Sequence, residues 1–425
     1  MKNILLNIRR GAIAFAATVI VGLILLLIVY LLPTGRVQLH IRESGLQLVN
    51  EDLYQEMIPT DVRYRMDNST DCVMLQTAGY SGPENVFVRF AENFRIDGVG
   101  KSKQEACLNC GQIHEPEMTK VSYSRYWHGY LVVLKPMLVV FNLQEIRQLN
   151  MFIIFAFITA IMVLLVKRKK PMYTVPFLMA YTFLNPALIA NSLQNSTMFY
   201  VTSIALVAML IFCENKKFTS NIAIYFMMVG MLTSYIDFLT YPIVSLAFPL
   251  ILYFVLFSPK SIWKGIIKLV LYSALWCVGY VGMWASKWGI SSLILRRNMF
   301  SDAIQKIFER SSDVAWDKPI TYKDMLSSLN AFLGPNPLFK LTIFFMIICV
   351  VLIVVDAIKS KSFEAKNIFT TLLILAVAIY PYAWAMAIKN HTFIHLLFTH
   401  RILSVVILSL GCSLVPMVKL GRKEK

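Results

Sequence analysis

Long apolar runs recur along this chain, and they limit its fold more than any other feature. A helix needs about 20 apolar residues to cross a bilayer, and the first run, residues 11–32, is 22 residues long. Backbone groups in lipid must be paired within their own segment, so such runs predict helices. Only 15% of the residues are charged and the mean hydropathy is +0.62, whereas a soluble domain carries about 25% charged residues. The sequence therefore predicts an integral membrane protein.

The spacing of the runs predicts an all-α polytopic membrane protein with about ten transmembrane helices. Two extracytoplasmic loop regions containing interface helices separate these spans. The predicted spans are 11–32, 150–166, 172–190, 197–213, 221–236, 239–257, 266–285, 341–357, 368–388 and 396–418. The chain then divides into an N-terminal transmembrane helix (1–32), a first extracytoplasmic loop (33–149), helices 2–7 (150–285), a second extracytoplasmic loop (286–340), and helices 8–10 with a cytoplasmic tail (341–425).

Positive charge is concentrated between the apolar runs. The net charge of +17 is high enough to suggest nucleic acid, but no basic soluble domain is present. Many lysines and arginines instead form short clusters between spans, as in the cytoplasmic loops of membrane proteins. We therefore expect a multi-pass protein of the plasma membrane with both termini in the cytoplasm, in contact with membrane lipid and without a nucleic-acid partner.

Two carboxylates lie close together in the first loop, within RYRMDNSTDCVML. Asp67 and Asp71 are four residues apart and follow Arg63 and Arg65, whose charges would keep a carboxylate ionised. A carboxylate beside a lipid-linked sugar can act as general base or hold a divalent cation. The alternative is that Asp67 makes an Asx turn. A third acid, Asp237 in SYIDFLTYP, follows the fifth span; it is either functional or part of an exposed turn at the interface.

Several cationic groups are candidates for binding phosphate. His391 and His395 in KNHTFIHLLFTHR share a helix face, and Arg401 follows them. Interface anchoring and metal binding are the alternatives for this segment. The second loop is net positive, and its Arg296 and Arg297 suit an anionic partner such as a lipid phosphate, unless the loop is a set of solvated amphipathic helices.

Arg125 and His128, in RYWH, lie beside an apolar run too short to span the membrane. An aromatic belt at the interface is the alternative interpretation of this segment. Cys107 and Cys110 form a CxxC without a second pair, so a disulfide or free thiols are favoured over zinc. The sequence has no Walker loop, GxGxxG, GxSxG or HExxH motif, which argues against an ATP-driven pump, an NAD enzyme and a serine hydrolase.

The whole pattern resembles the glycosyltransferase C superfamily of polytopic membrane enzymes. Shared features are a first span, a long outer loop with acids (Asp67 and Asp71), amphipathic interface helices (125–142), further spans and a second basic outer loop. The segments RMDNSTDCVML, YSRYWHGY, DFLTYP, GMWASKW and NHTFIHLLFTHR also resemble those of bacterial membrane proteins of this type. The acids lie some 35 residues beyond the first span, without the Asp-Glu pair next to that span of some members.

The resemblance implies transfer of a sugar from a polyprenyl-phosphate donor to a cell-surface glycan, lipid or protein, with inversion. Asp71 or Asp67 would be the base, and Arg296, Arg297, Arg401 and His395 would stabilise the leaving phosphate. Some members use a divalent metal ion and others do not, so metal dependence stays open. The alternatives are a transporter or flippase of lipid-linked glycans, a glycan polymerase and a non-catalytic scaffold.

Overall fold

The protein is built almost entirely of helices. A computed structural model describes residues 2–58, 61–98, 102–111, 118–360 and 365–418, so the predicted cytoplasmic tail at 419–425 lies outside the described residues. Within these ranges there are two small antiparallel sheets: β1 (Arg95–Gly98) pairs with β2 (Met118–Val121), and β3 (Val314–Ala315) with β4 (Lys318–Pro319).

The first half of the chain contains one long helix, a run of short ones and then a bundle. In order these are α1 (Lys2–Leu31), α2 (Gly35–Asn50), α3 (Asn68–Gly79), α4 (Val86–Glu92), α5 (Lys103–Leu108), α6 (Leu131–Val140), α7 (Leu143–Lys167), α8 (Thr174–Leu184), α9 (Pro186–Ala190), α10 (Leu193–Phe212) and α11 (Lys216–Ser220).

The second half completes the bundle and adds an amphipathic helix. Its helices are α12 (Ile222–Ile236), α13 (Ile243–Leu256), α14 (Ile262–Leu295), α15 (Met299–Ser311), α16 (Tyr322–Asn330), α17 (Pro337–Ser360), α18 (Ala365–Val377), α19 (Tyr380–Ala387), α20 (Lys389–Ile394), α21 (Leu396–Thr399) and α22 (Ser404–Ser413).

Seven helical segments among the described residues are long and apolar enough to cross a membrane. They are Ile8–Leu31, Leu143–Lys167, Leu193–Phe212, Ile262–Leu295, Pro337–Asp356, Asn367–Ala387 and Leu396–Met417. Three shorter apolar helices are α6, α12 and α13. The all-α membrane class is thus confirmed, but the predicted count of ten spans is not.

The predicted span 172–190 is interrupted in the structure. Asn185 adopts a left-handed conformation (φ 63°) and ends α8, and Pro186 begins α9 in a new direction. Proline disfavours the right-handed helical conformation in the residue that precedes it, and it has no backbone N–H to continue the hydrogen bonding of a helix. A continuous apolar run therefore becomes two short helices of 11 and 5 residues.

The segment Leu396–Met417 lies at the centre of the bundle. Of its apolar window, 89% is buried inside the protein, against 11% for Pro337–Asp356, which faces outward. The C-terminal helices therefore reach the middle of the molecule, close to groups from the first half of the chain.

The polar region between α1 and α7 packs as a compact unit against the bundle. Its buried side chains, among them Ile41, Leu75, Phe90 and Trp127, form one apolar cluster with residues of α1, α12 and α14. The Trp127 indole donates a hydrogen bond to the backbone oxygen of Met283 on α14 (2.6 Å). This packing fixes the position of α3, whose N-cap is Asp67.

Helix α14 is longer than the predicted span 266–285. Its 34 residues measure about 51 Å at 1.5 Å per residue, well beyond the roughly 30 Å of hydrocarbon. Helix α15 follows directly and is amphipathic: Met299 and Ala303 are buried, whereas Phe300, Ile307 and Phe308 are exposed. A helix with that pattern is suited to lie in the membrane interface.

Candidate functional site

A polar cavity of about 450 Å³ lies where the N-terminal polar region meets α10, α15 and the α20–α21 segment. Its charged lining residues are Arg65, Asp67, Lys103 and Arg310. Further polar side chains come from Ser69, Thr70, Gln194, His391 and His395, and aromatic rings from Tyr54, Tyr123, Phe238, Trp316 and Phe398. Aromatic rings next to hydroxyl, amide and charged groups suit a polar ligand with apolar faces, as a sugar has.

Asp67 provides a carboxylate at this cavity. As the N-cap of α3, it accepts hydrogen bonds from the backbone N–H of Thr70 (3.0 Å) and from the Thr70 hydroxyl (2.8 Å). Only 4% of the residue is exposed, and this burial raises the pKa of the carboxyl above its ordinary value, against the opposing effects of Thr70, Lys103 and Arg401. A carboxylate with a raised pKa that lines a cavity is a suitable general base.

Arg310, in the last turn of α15, is a cation that lines the same cavity as Asp67. Its guanidinium donates hydrogen bonds to the Tyr126 hydroxyl (3.0 Å) and to Nδ1 of His391. Because Nδ1 accepts, the His391 proton is on Nε2, which donates to the backbone oxygen of Leu239 (2.7 Å). Burial, and then the charge of Arg310, hold the pKa of His391 well below its ordinary value. Within the described part of the chain, no carboxylate pairs with Arg310.

His395 faces the same cavity as a neutral ring. Burial and the charge of Arg310 lower its pKa to about 4. Its ring stacks on Phe398 with centroids 5.2 Å apart, and its nitrogens have no hydrogen-bond partner among the described residues. It can therefore donate to, or accept from, a ligand hydroxyl, and at neutral pH it brings no charge.

Lys103, Arg65 and Gln194 complete the polar wall. The Lys103 ammonium donates to the Ser69 hydroxyl (2.8 Å), and Arg65 pairs with Glu56. The side-chain oxygen of Gln194 is buried and has no hydrogen-bond partner within the described ranges. A buried amide oxygen without a partner is costly, so it suits a ligand donor.

An apolar cavity of about 220 Å³ adjoins the polar one. It lies between α14, α15 and α19, and six of its lining residues are large aromatics: Tyr126, Trp276, Tyr280, Trp284, Trp288 and Trp384. Arg310 lines both cavities, so its guanidinium stands at their boundary. The Tyr280 hydroxyl and the Trp284 indole N–H, both buried and without a hydrogen-bond partner in the described part of the chain, add two polar groups to the apolar wall.

Asp71 does not line either cavity. The residue is fully buried, and its carboxylate accepts from the backbone N–H groups of Leu193 (3.1 Å) and Gln194 (3.3 Å) at the start of α10. Burial raises its pKa to about 7 despite the nearby charge of Arg147. Asp71 thus caps a helix, and of the two predicted acids it is Asp67 that faces the cavity.

Asp237 and His128 lie behind the cavity wall. Asp237 accepts hydrogen bonds from the backbone N–H and the hydroxyl of Thr240 and so forms a turn, the alternative to a functional role. The turn is buried and not exposed, and burial raises the pKa of the Asp237 carboxyl to about 6. His128 bonds the backbone oxygen of Tyr123 (2.8 Å), and burial lowers its pKa to about 3. The His128 ring contacts the rings of Tyr123 and Phe238, which line the cavity, and Asp237 directly precedes Phe238 in the chain.

Three of the predicted arginines, Arg125, Arg296 and Arg297, lie in two places outside the polar cavity. Arg125 lines the apolar cavity and pairs with Asp302 (3.3 Å). Arg296 and Arg297 line a separate open groove of about 570 Å³, where Arg297 pairs with Glu92 (3.2 Å). The structure therefore does not bring Arg296 or Arg297 to the polar cavity.

Arg401 is fully buried and does not line the polar cavity. It donates to the backbone oxygens of Leu184 (3.1 Å) and Leu397 (2.9 Å), and its Nη2 has no partner among the residues that the structure describes. It is near enough to Asp67 to lower the pKa of that carboxyl. The guanidinium of Arg401 thus favours the ionised form of Asp67 through its charge, but it does not line the cavity.

The expected role of Arg63 and Arg65 is not observed. Arg63 forms an ion pair with Asp61 (2.6 Å), and Arg65 pairs with Glu56. Both arginines thus neutralise nearer acids, while Lys103 and Arg401 act on Asp67.

The key residues that sequence reasoning missed are Arg310, Lys103 and Gln194. Arg310 ends the segment MFSDAIQKIFERS, whose amphipathic pattern could have singled it out as a cation held at the interface. Lys103 and Gln194 carry no such signal, because only the tertiary packing brings them to Asp67.

The residues around Asp67 do not form a metal site. Among the described residues there is no group of three or more His, Cys, Asp or Glu side chains that could hold a metal ion. One carboxylate with lysine and arginine nearby suits an anionic or polar ligand better than a cation. Cys107 and Cys110 are buried free thiols.

Comparison with known proteins gives no relative. The chain matches no protein-family model, no curated protein and no solved structure. Any functional assignment therefore depends on the geometry of the two cavities.

Proposed function

We propose that this protein is a membrane glycosyltransferase that takes a sugar from a polyprenyl-phosphate donor. The observation that supports it is the adjacency of the two cavities, with Arg310 common to both. A polar cavity suits the sugar, an apolar one suits the polyprenyl chain, and a guanidinium between them suits the phosphate that joins the two.

The chemistry is a single displacement with Asp67 as general base. Asp67 takes the proton of an acceptor hydroxyl while the hydroxyl oxygen bonds to the anomeric carbon of the donor. The bond between that carbon and the phosphate oxygen breaks, and the electron pair leaves with polyprenyl phosphate. Attack opposite the leaving group inverts the anomeric configuration.

Arg310 stabilises the negative charge that develops on the leaving phosphate oxygen. Its side chain is held by Tyr126 and His391, so its N–H groups are oriented before the polyprenyl-phosphate sugar binds. A preorganised guanidinium of this kind needs little rearrangement during the reaction.

Neutral groups position the sugar. His395 and the Gln194 side-chain oxygen have no partners among the described residues, so both are available for sugar hydroxyls. The rings of Tyr123, Phe238 and Trp316 offer flat faces to the C–H surface of a sugar. We further propose that the protein lies in the plasma membrane with both termini in the cytoplasm and the cavity opening outward, and that the acceptor is a glycan, lipid or protein of the cell surface.

Release of polyprenyl phosphate from a polyprenyl-phosphate-linked sugar tests this function. The purified protein in nanodiscs should release it when an acceptor is present, and Asp67→Asn should abolish the release. Asp52→Asn, at an exposed carboxylate of the same region, is the matched control and should leave the rate unchanged. Equal rates for wild type and Asp67→Asn would refute the mechanism.

A second assay distinguishes the proposed transferase from a transporter or flippase. In sealed vesicles it would move the lipid-linked glycan across the bilayer without releasing polyprenyl phosphate. Translocation without release would replace the transferase assignment.

A further inference from the structure

We propose that the acceptor is anionic, a saccharide carrying a carboxylate or phosphate group that Lys103 binds beside Asp67. This inference rests on the proposed function, because it takes the polar cavity to hold both sugars. It adds the chemical class of the second substrate and the residue that selects it.

The charges of the cavity wall do not balance. Arg65 is paired with Glu56, and the charge of Asp67 is opposed by both Lys103 and Arg401, neither of which forms an ion pair with it among the described residues. Two cations then remain without a carboxylate partner in the described part of the chain, Arg310 and Lys103. Cations in a partly enclosed cavity are stabilised by an anionic ligand.

The two cations lie on different sides of the cavity. Arg310 bonds Tyr126, which also lines the apolar cavity, so it belongs to the side where the donor phosphate meets its chain. Lys103 bonds the hydroxyl of Ser69, two residues after Asp67, so it belongs to the side of the base. A general base contacts the acceptor, and Lys103 therefore faces the acceptor.

Two further polar atoms close to this side lack partners. The Nε of Arg65 and the side-chain oxygen of Gln194 are buried and form no hydrogen bond with any residue that the structure describes. One is a donor and the other an acceptor, so together they suit an anionic oxygen and a neighbouring hydroxyl on one ligand. Their cost when empty indicates a site built for a polar ligand.

Binding of defined trisaccharides tests the inference. The wild-type protein, in nanodiscs preloaded with polyprenyl phosphate, is titrated with a uronic-acid trisaccharide, a phosphorylated trisaccharide and a neutral trisaccharide of equal length. We expect at least one anionic sugar to bind about tenfold more tightly than the neutral one, since a hydrogen bond to a charged group contributes about that factor. Which anion binds better distinguishes a carboxylate from a phosphate group.

Variants assign the effect to Lys103. Lys103→Gln should remove the preference for the anionic sugar, and Lys103→Arg should restore most of it. Lys323→Gln, at an exposed lysine of α16, is the matched control and should change nothing. Thermal unfolding of each variant identifies one that has lost its fold; Lys103→Met then replaces Lys103→Gln.

Three results would overturn the inference: equal binding of anionic and neutral sugars, a preference that survives in Lys103→Gln, or a preference removed by Arg310→Gln and not by Lys103→Gln. Binding of polyprenyl phosphate alone is measured in parallel. Its failure would count against the proposed function, whereas loss of sugar selectivity alone would count only against the anionic acceptor.

Discussion

The carboxylate of Asp71 accepts a 3.1 Å hydrogen bond from the backbone N–H of Leu193, the first residue of α10. Through this contact the N-terminal polar region is joined to the start of a membrane-spanning helix, 122 residues later in the chain. The next residue, Gln194, also donates its N–H to Asp71 and directs its side chain to the polar cavity. Asp71 thus positions a cavity residue without lining the cavity itself.

Replacing Asp71 by Asn should flatten the pH dependence of stability. The pKa of Asp71 is about 7 in the folded protein, against an ordinary value of 3.8 that applies to the unfolded chain. Between about pH 4 and 7 the folded state therefore binds more protons than the unfolded state. Stability therefore falls as pH rises through that window, by up to about 1.4 kcal/mol per pH unit for this group.

Thermal unfolding midpoints at pH 5, 6 and 7 measure the effect. The decline should be shallower in Asp71→Asn, and unchanged in Asp52→Asn, which alters an exposed carboxylate. Parallel declines in all three proteins would show that Asp71 does not titrate in this range.

Replacing Thr70 by Val should move the acid limb of the activity profile to higher pH. Both hydrogen bonds to Asp67 favour its ionised form, and the variant loses the one from the hydroxyl. The pKa of Asp67 then rises further, and the base is protonated at a higher pH. The profile of kcat/KM against pH checks this, with Thr182→Val, whose hydroxyl bonds only its own helix, as control. An unmoved limb would assign the base to another group.

Replacing Arg310 by Gln should weaken binding of polyprenyl phosphate by at least tenfold, because the phosphate loses a charge-assisted, bidentate partner. Arg310→Lys should recover only part of the affinity, since an ammonium cannot bind two oxygens in the same geometry. Binding in nanodiscs is compared with Lys323→Gln. Full affinity in Arg310→Gln would mean that the phosphate binds elsewhere.

Bound polyprenyl phosphate should protect Cys277 from alkylation. Of the seven cysteines it is the one that is exposed, and it lines the apolar cavity. A chain in that cavity covers the thiol, so N-ethylmaleimide should modify the loaded protein several-fold more slowly. Intact mass measures the modification, and Cys277→Ser identifies the site. Equal rates with and without the lipid would place the chain outside this cavity.

Replacing Arg147 by Met should destabilise the protein by about 3 kcal/mol, because it leaves buried partners unpaired. Arg147 bonds both oxygens of Glu51 (2.9 and 3.0 Å) and the side-chain oxygen of Asn68 (2.9 Å), next to Asp67. Adding Glu51→Gln should recover part of the loss, since the uncompensated charge is removed. Additive effects of the two substitutions would show that the pair is not coupled.

The membrane class could be predicted from the sequence because apolar length is a local property. Interruptions such as the one at Asn185 could not, since a proline within an apolar run does not always end a helix: Pro136 lies inside α6 and Pro249 inside α13. The count of spans therefore depends on backbone geometry that the apolar pattern does not encode.

The candidate site was predictable only in outline. Asp67, His391 and His395 were singled out by charge and spacing, and the structure brings these three to one cavity. Asp71 looked equivalent to Asp67, but one turn of helix directs it inward, onto the start of α10. Arg296 and Arg310 belong to the same basic segment, and only the path of α15 decides which of them reaches the histidines.

The placement of Arg310 at the end of α15 couples the site to the physical state of the bilayer. This helix exposes Phe300, Ile307 and Phe308, so its depth follows the boundary between headgroups and acyl chains. Thinning the bilayer with short-chain lipids should therefore tilt or sink the helix and displace the guanidinium from His391. Turnover by the proposed transferase would then depend on acyl-chain length even at saturating substrate, and lipid composition would itself control the rate.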